Sequence, residues 1–376
     1  MKLRYKIASG VLVFLLVLLS SFALVIGYTK ACPAPAGPAS GPSMHAVIYQ
    51  CYGGPEVLQH TQVSMPEPGE DEVLVKVHAA GVNPLDWHYM RGSPFVMRLM
   101  SGLGAPTETA LGRDFAGVVE AVGGKVTRYE VGDRVFGGAN GAFAEYVVRR
   151  ESGAIARMPE NASFEEAAAL PVAAITALQA LRDLGQLQAG QKVLINGASG
   201  GVGTYAVQIA KNMGAQVHGV NSTRNVEMVT ALGADRVYDY KKESYIDSGE
   251  RYDLIVDMVG NHSLLDNSKV MHPTGRLVQV GGPSGDWVGP FRGMVEALVV
   301  GPFMEQEVVS IMAQLTGDDL TILAEMMSAG KLMTQIDRRF PLAETADAIA
   351  YSETGRARGK IIVLPPQSQQ TTPTSE

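Results

Sequence analysis

The stretch "VLINGASGGVG", Val193 to Gly203, decides the fold. Three apolar residues, Val193, Leu194 and Ile195, lead through Asn196 into a run of Gly, Ala and Ser, and the helical pattern "GTYAVQIAKNMG" follows. A strand that passes into Gly200, Gly201 and Gly203 and then into a helix allows a tight turn. It also allows close approach of a pyrophosphate to free N–H groups at the helix start. The plain alternative is a tight strand–helix turn. The position inside a βαβ unit of about 30 residues favours the cofactor cradle. Working outward, "QVHGVNS" precedes "NVEMVTALG", and "RVYDY", "YDLIVDMVG" and "GRLVQVGG" come next. Apolar strands alternating with helices imply a parallel sheet covered on both faces.

Upstream the pattern is strand and turn. "EVLVKVHAAGV" alternates Val73, Val75 and Val77, and "FAGVVEAVGG", "GDRVFGG" and "GAFAEYVVRR" read as short strands closed by glycine turns. This predicts a compact, irregular β-barrel-like unit. Ser163 with Glu166 forms a capping-box signature for a helix through "SFEEAAALPVAAITALQAL". Beyond Gly301, "EQEVVSIMAQL", "DDLTILAEMMSAGK" and "LAETADAIAYSE" read as helices. A closing strand, "GKIIVLP", is expected to return to the first unit.

The N-terminus stands apart. Ile7 to Thr29 is uncharged. As a helix it extends about 34 Å, against a bilayer core of roughly 30 Å. Lys2, Arg4 and Lys6 precede it and Lys30 follows. The expectation is one transmembrane helix within residues 1–30, a single-pass anchor. The alternative is a cleaved signal peptide processed near "APA", Ala34 to Ala36. Charge bias sends the body across the membrane, where reduced dinucleotides are not normally supplied. The side that holds the body therefore stays open. On an exported body Cys32 and Cys51 are able to pair; in a cytoplasmic one they would be free thiols. Residues 31–43 read as a Pro/Ala/Gly linker and 365–376 as a disordered tail. A net charge of −7 with no Lys/Arg cluster argues against nucleic acid as a partner.

Where NAD enzymes place an acid for the ribose 2′-hydroxyl, this chain has "VNSTRN". Ser222, Thr223 and Arg224 suit a 2′-phosphate, so NADPH is the expected cofactor. The folded body resembles the medium-chain dehydrogenase/reductase superfamily, on its zinc-independent quinone oxidoreductase branch. The resemblance rests on "CYGGPEVL", "AAGVNPLDWHYMRG", "LGRDFAGVVEAVG", "VGDRVFG", "GAFAEYV", "GASGGVG" and "ARGKIIV". It implies a GroES-like catalytic domain (44–172 and 311–364), a Rossmann domain (173–310) and a homodimer. It makes Ala198 a mark of the branch. It places Thr176, Ala198, Val202, Tyr240, Val259, Gly260, Gly281, Gly282 and Lys360 on the cofactor with the residues above.

Zinc-dependent members carry a Cys and a Gly-His-Glu where this chain has Gly81–Asp86 and Gly112-Arg113-Asp114. No metal is expected; the residual alternative is an acid/His site from Asp86 and His88. The branch implies hydride delivery to quinones or α,β-unsaturated carbonyls, electrophiles for which hydrogen bonds suffice. Asn83 and Asp86 are implied at the nicotinamide, with Asn83 a hydrogen-bond donor to ribose or substrate. His88 and Tyr89 are candidate proton donors, or packing of the cleft wall with Trp87. Trp287 to Val309 is apolar and Met-rich. It reads as a buried helix, a dimer contact, or a lip for a long-tailed lipid substrate. The rival functions are an alcohol dehydrogenase or carbonyl reductase, and a non-catalytic NADPH sensor or scaffold.

Overall fold

A computed structural model describes residues 2–34, 41–282, 285–287 and 292–366, without side chains at 2–12 and 292–295. Its strands are β1 (Ser43–Ile48), β2 (Gln59–Ser64), β3 (Glu72–Val82), β4 (Asp114–Val122), β5 (Arg134–Gly138), β6 (Tyr146–Arg150) and β7 (Ile155–Arg157). Then follow β8 (Lys192–Asn196), β9 (Gln216–Asn221), β10 (Arg236–Asp239), β11 (Tyr252–Asp257), β12 (Met271–Gln279) and β13 (Glu307–Ser310). β14 (Ile336–Pro341) and β15 (Lys360–Leu364) close the set. The helices are α1 (Lys2–Gly27), α2 (Pro84–Arg91), α3 (Arg98–Ser101), α4 (Phe164–Ala168), α5 (Pro171–Gln179) and α6 (Gly201–Asn212). They continue as α7 (Val226–Ala231), α8 (Leu264–Ser268), α9 (Arg292–Val300), α10 (Gly317–Ser328) and α11 (Thr345–Glu353).

β8 to β13 form one parallel sheet in the order β10-β9-β8-β11-β12-β13. The order reverses at β8, and α6 springs from the carboxyl end of that strand, the usual place for a ligand crevice. β8 is buried along Val193–Asn196 because helices cover both faces. The second sheet runs β14-β15-β3-β4-β5-β7, with β6 also on β3. β15 lies antiparallel to β3, so the last strand does return to the first unit. α5 packs on α6, and its buried alanines continue one core from Phe136 in β5 to Val193 and Ile195 in β8.

Three sequence expectations change. The helix expected over "EQEVVSIMAQL" is instead the edge strand β13, in register with β12 from Arg276↔Glu307 to Gln279↔Ser310; two β-branched valines suit that edge. The helix opened by Ser163 is capped as expected, with Ser163 Oγ accepting from the Glu166 N–H at 3.2 Å. It breaks before Pro171, which cannot continue the ladder. Third, among the described residues no helix is long and apolar enough to cross a membrane. Side chains of α1 are described from Val13 to Gly27. Within that stretch Val13 to Leu19 are exposed and apolar. Cys32 and Cys51 form a disulfide. The expected linker is described at 31–34 and 41–43, and most of the expected tail lies outside the described residues.

Candidate active site

The cofactor cradle is built by β8 and α6. The Gly197 and Ala198 N–H groups both donate to the Val220 carbonyl, at 3.2 and 3.1 Å, which pins the loop to β9. Gly203 is required by contact: a Cβ there would lie 2.2 Å from the Gly197 oxygen. Ala198 has a local reason as well. Its buried methyl faces Gly219 of β9, where an added Cβ would stand 3.0 Å away. The pair Ala198/Gly219 thus fills the space that the reverse arrangement would leave. Gly200 caps α6 without a side-chain bond, and Gly200, Gly201 and Val202 are half-buried. The first-turn N–H groups are then available to an anion. A glycine cradle, an uncapped helix start and two buried amide oxygens without partners, Asn221 Oδ1 and Asn225 Oδ1, fit a dinucleotide.

At the end of β9, Ser222 is half-buried and Thr223 and Arg224 are exposed. An acid does come near here, from the neighbouring strand: Thr223 Oγ1 donates to Asp239 Oδ2 at 2.7 Å. Asp239 is committed further, accepting from the Lys241 N–H and lying 3.4 Å from Lys242 Nζ. Hydrogen bonding to Thr223 holds its carboxyl below the usual range. Arg224 donates to the Arg356 carbonyl at 2.7 Å. Tyr240, Val220, Asn261, His262, Lys241 and Lys242 line a cavity of about 410 Å³ at the carboxyl ends of β9, β10 and β11. Val259 and Gly260 follow β11, and both their N–H groups donate to Asp257 Oδ1 at 2.9 Å. Val259 is partly exposed, as are Gly281 and Gly282 beyond β12. Thr176 is buried and donates back to Val172 O at 2.6 Å.

The antiparallel lobe contributes a buried polar floor. Asn83, Asp86, Asp114 and Lys360 are all nearly inaccessible. Lys360 Nζ donates to Asn83 Oδ1 at 2.5 Å and lies 3.3 Å from Asp114 Oδ2. Asn83 Nδ2 donates to Asp114 Oδ2 at 2.9 Å, and its backbone N–H to Asp86 Oδ2 at 2.7 Å. Asp114 Oδ1 accepts from the Val172 N–H at the start of α5. Both ends of the Asn83 amide are therefore engaged inside the protein. Lys360, expected on the cofactor, has its ammonium in this floor. Burial pushes Asp114 up against the opposing pull of Lys360. It pushes Asp86 up to about 7, opposed by the Asn83 N–H. Asp86 Oδ1 is buried with no hydrogen-bond partner. His88 Nδ1 lies 2.7 Å from the Ser93 oxygen, its ring lies tilted against Trp87 at 3.7 Å, and burial lowers its pKa. Tyr89 sits under the Arg113 guanidinium, 4.8 Å from the ring centre.

Asp114, which completes the floor, has only a faint sequence signal: an acid that follows Gly112-Arg113 at the start of a strand. Arg98 gives no sequence signal. Among the described residues no group of three or more His, Cys, Asp or Glu is arranged to hold a metal ion. Asp86 and His88 face different partners, an ammonium occupies the floor, and both cysteines are joined. These residues do not fit a catalytic zinc.

Two lobes, one a nucleotide-binding parallel sheet and the other an antiparallel barrel-like sheet carrying a buried polar floor, define a medium-chain dehydrogenase/reductase. A family described as "Alcohol dehydrogenase GroES-like domain" matches residues 69–160, and one described as "Zinc-binding dehydrogenase" matches 232–363. The chloroplast envelope quinone oxidoreductase homolog of Arabidopsis thaliana is 35% identical over 345 residues, covering 87% of this chain and 100% of that protein. The chloroplastic NADPH-dependent alkenal/one oxidoreductase of the same plant is 33% identical over 341 residues, covering 86% and 80%. The solved quinone oxidoreductase from Coxiella burnetii superposes with a TM-score of 0.75 at 32% identity, over 86% of this chain and 99% of that one. The chain belongs to the quinone oxidoreductase family of medium-chain dehydrogenases/reductases.

Proposed function

We propose that this protein is an NADPH-dependent reductase of quinones or α,β-unsaturated carbonyls, held at a membrane by α1. The observation that carries the reading is the cofactor cradle at Gly197–Gly203 beside a floor that leaves one carboxyl oxygen of Asp86 unbonded. NADPH would lie along Gly200–Gly203, with Ser222, Thr223, Arg224 and Tyr240 around its 2′-phosphate and Thr176, Val259, Gly260, Gly281 and Gly282 towards its nicotinamide. When bound it supplies a hydride. The chain's own residues do the rest. The cleft walls orient an electrophilic carbon and exclude water. As hydride adds there, the electron pair moves to the substrate oxygen, which needs a proton. Asp86, buried enough to keep its proton near neutral pH, is our assignment for that donor, with the Asn83–Asp114–Lys360 floor as its positioning frame. Tyr89 and His88 are the rival donors.

The test is steady-state NADPH oxidation with a short benzoquinone and with an enal. Tight NADPH binding without turnover of either would leave a sensor or scaffold instead. Turnover of simple ketones or alcohols alone would favour the alcohol dehydrogenase reading.

Membrane association is read from the uncharged Ile7–Thr29 segment and from the exposed apolar side chains of α1. The Cys32–Cys51 bond favours an oxidising side for the body, and the need for NADPH favours the opposite one. Thiol labelling of an introduced surface cysteine, with and without permeabilisation, decides between the two. Sedimentation of the purified chain decides whether it is the homodimer that its family resemblance implies.

A further inference from the structure

Arg98 is 3% exposed. Its guanidinium joins two helix ends. Nη1 is within hydrogen-bond distance of the Ile26, Gly27 and Tyr28 carbonyls and Thr29 Oγ1, at 3.0–3.2 Å, and so caps α1. Nε donates to the Gly92 carbonyl at 2.8 Å and Nη2 to the Arg91 carbonyl at 3.2 Å, at the end of α2. The guanidinium also lies over the rings of Tyr52 and Phe95, at 4.6 and 4.4 Å. A cation at a helix C-terminus complements its dipole; here one cation serves both helices. α2 carries Asp86, His88 and Tyr89. The base of α1 is thus fixed to the helix that carries the proposed proton donors.

Two further ties hold the same junction. Lys30 N–H donates to Gly104 O at 2.7 Å, and Cys32 is bonded to Cys51. Around it the surface is apolar and open. Met100 is 91% exposed and Leu99 54%, with Leu103, Val96 and Tyr28 exposed beside them. Trp287 stands edge-on to Phe95 at 4.9 Å, against Gly27. Trp287 also belongs to the loop that meets the catalytic lobe, where Phe95 N–H donates to Asp286 O and Ser93 Oγ to Asp286 Oδ1. Both lobes contribute to this one rim.

We propose that this rim is a bilayer-docking surface. Leu99, Met100, Leu103 and Trp287 enter the lipid beside α1, and the Arg98 clamp holds the substrate cleft with its mouth at the membrane. The protein then takes lipid-dissolved quinones or enones directly from the bilayer, an inference that rests on the reductase reading above for its substrate. The occupant follows from continuity: the rim adjoins a helix whose described side chains from Val13 to Leu19 are all apolar and exposed. A charge placed among interfacial apolar residues weakens membrane insertion.

The experiment uses the full chain in phosphatidylcholine vesicles. Trp287 fluorescence is read in a Trp87→Phe background with brominated lipids as quencher. Separately, NADPH oxidation is followed with a tail-less benzoquinone and with a long-tailed quinone dissolved in the same vesicles. Trp287 is expected to be quenched. Met100→Glu with Leu103→Glu is expected to lower kcat/KM for the long-tailed quinone about tenfold or more, a loss of about 1.4 kcal/mol, and to leave the tail-less quinone unchanged. Absence of quenching, or equal loss on both quinones, overturns the docking proposal. If the parent protein reduces neither quinone nor an enal the reductase reading fails, and the quenching result still decides the docking.

Discussion

Replacing Asp86 by Asn isolates the cost of burying one carboxyl. Burial raises its pKa from 3.8 to about 7. Below pH 3.8 the group is neutral in both folded and unfolded chains and contributes no penalty. Between about pH 4 and 7 the unfolded chain has released its proton and the folded one has not. The unfolded state then binds fewer protons, so stability falls as pH rises, and the loss levels off above the folded value. At about 1.36 kcal/mol per unit, the shift amounts to about 4 kcal/mol in full, of which about 3 kcal/mol falls between pH 4.5 and 8. Asn keeps an oxygen to accept the Asn83 N–H, bonded at 2.7 Å in the parent, and it cannot ionise. In urea titrations of the cofactor-free protein, Asp86→Asn should therefore gain about 3 kcal/mol relative to the parent as pH goes from 4.5 to 8. A stability difference that stays constant across that range would refute the reasoning. The same variant should lose the alkaline limb of the parent's kcat/KM profile if Asp86 donates the proton.

Gly203→Ala puts a methyl 2.2 Å from the Gly197 oxygen; fluorescence titration should show NADPH affinity reduced at least about tenfold, roughly 1.4 kcal/mol. Lys360→Met strands the fully buried Asp114 carboxylate and should destabilise by about 3–5 kcal/mol in urea. Adding Asp114→Asn should recover part of that loss, and strictly additive effects would show that the two groups do not interact. Reducing the Cys32–Cys51 bond, with partners 19 residues apart, should cost about 3 kcal/mol on the loop-entropy scale. It should appear as a lower melting temperature in dithiothreitol, reproduced by Cys51→Ser and absent in that variant on further reduction.

The nucleotide half of the fold is legible because its strands are continuous apolar runs and its helices are long enough to show their period. β13 is not legible in the same way: Val308 and Val309 suit a helix or a strand, and only pairing with β12 decides between them. Ala198 can be recognised as a branch mark in the sequence, but its reason lies in Gly219 on the next strand. The catalytic lobe is harder still. Asn83 reads as a free donor in sequence. Its engagement depends on Lys360, 277 positions away, and on Asp114. Arg98 sits in an unremarkable stretch, and its role exists only once two helix ends are brought to it. Polar residues announce their chemistry in sequence but not whether folding leaves that chemistry unused.

The start of β15 is also the last part of the candidate site to be synthesised. Gly359 donates its N–H to Ser199 O and forms an isolated bridge with Gly200, and Lys360 next to it completes the floor under Asn83. During synthesis the phosphate loop leaves the ribosome about 160 residues before these two, some 8–30 seconds at ordinary elongation rates. Over that interval the nascent chain has a nucleotide-binding sheet in progress and no finished active site. The phosphate loop and the polar floor are thus joined only once the last strand of the body has been made.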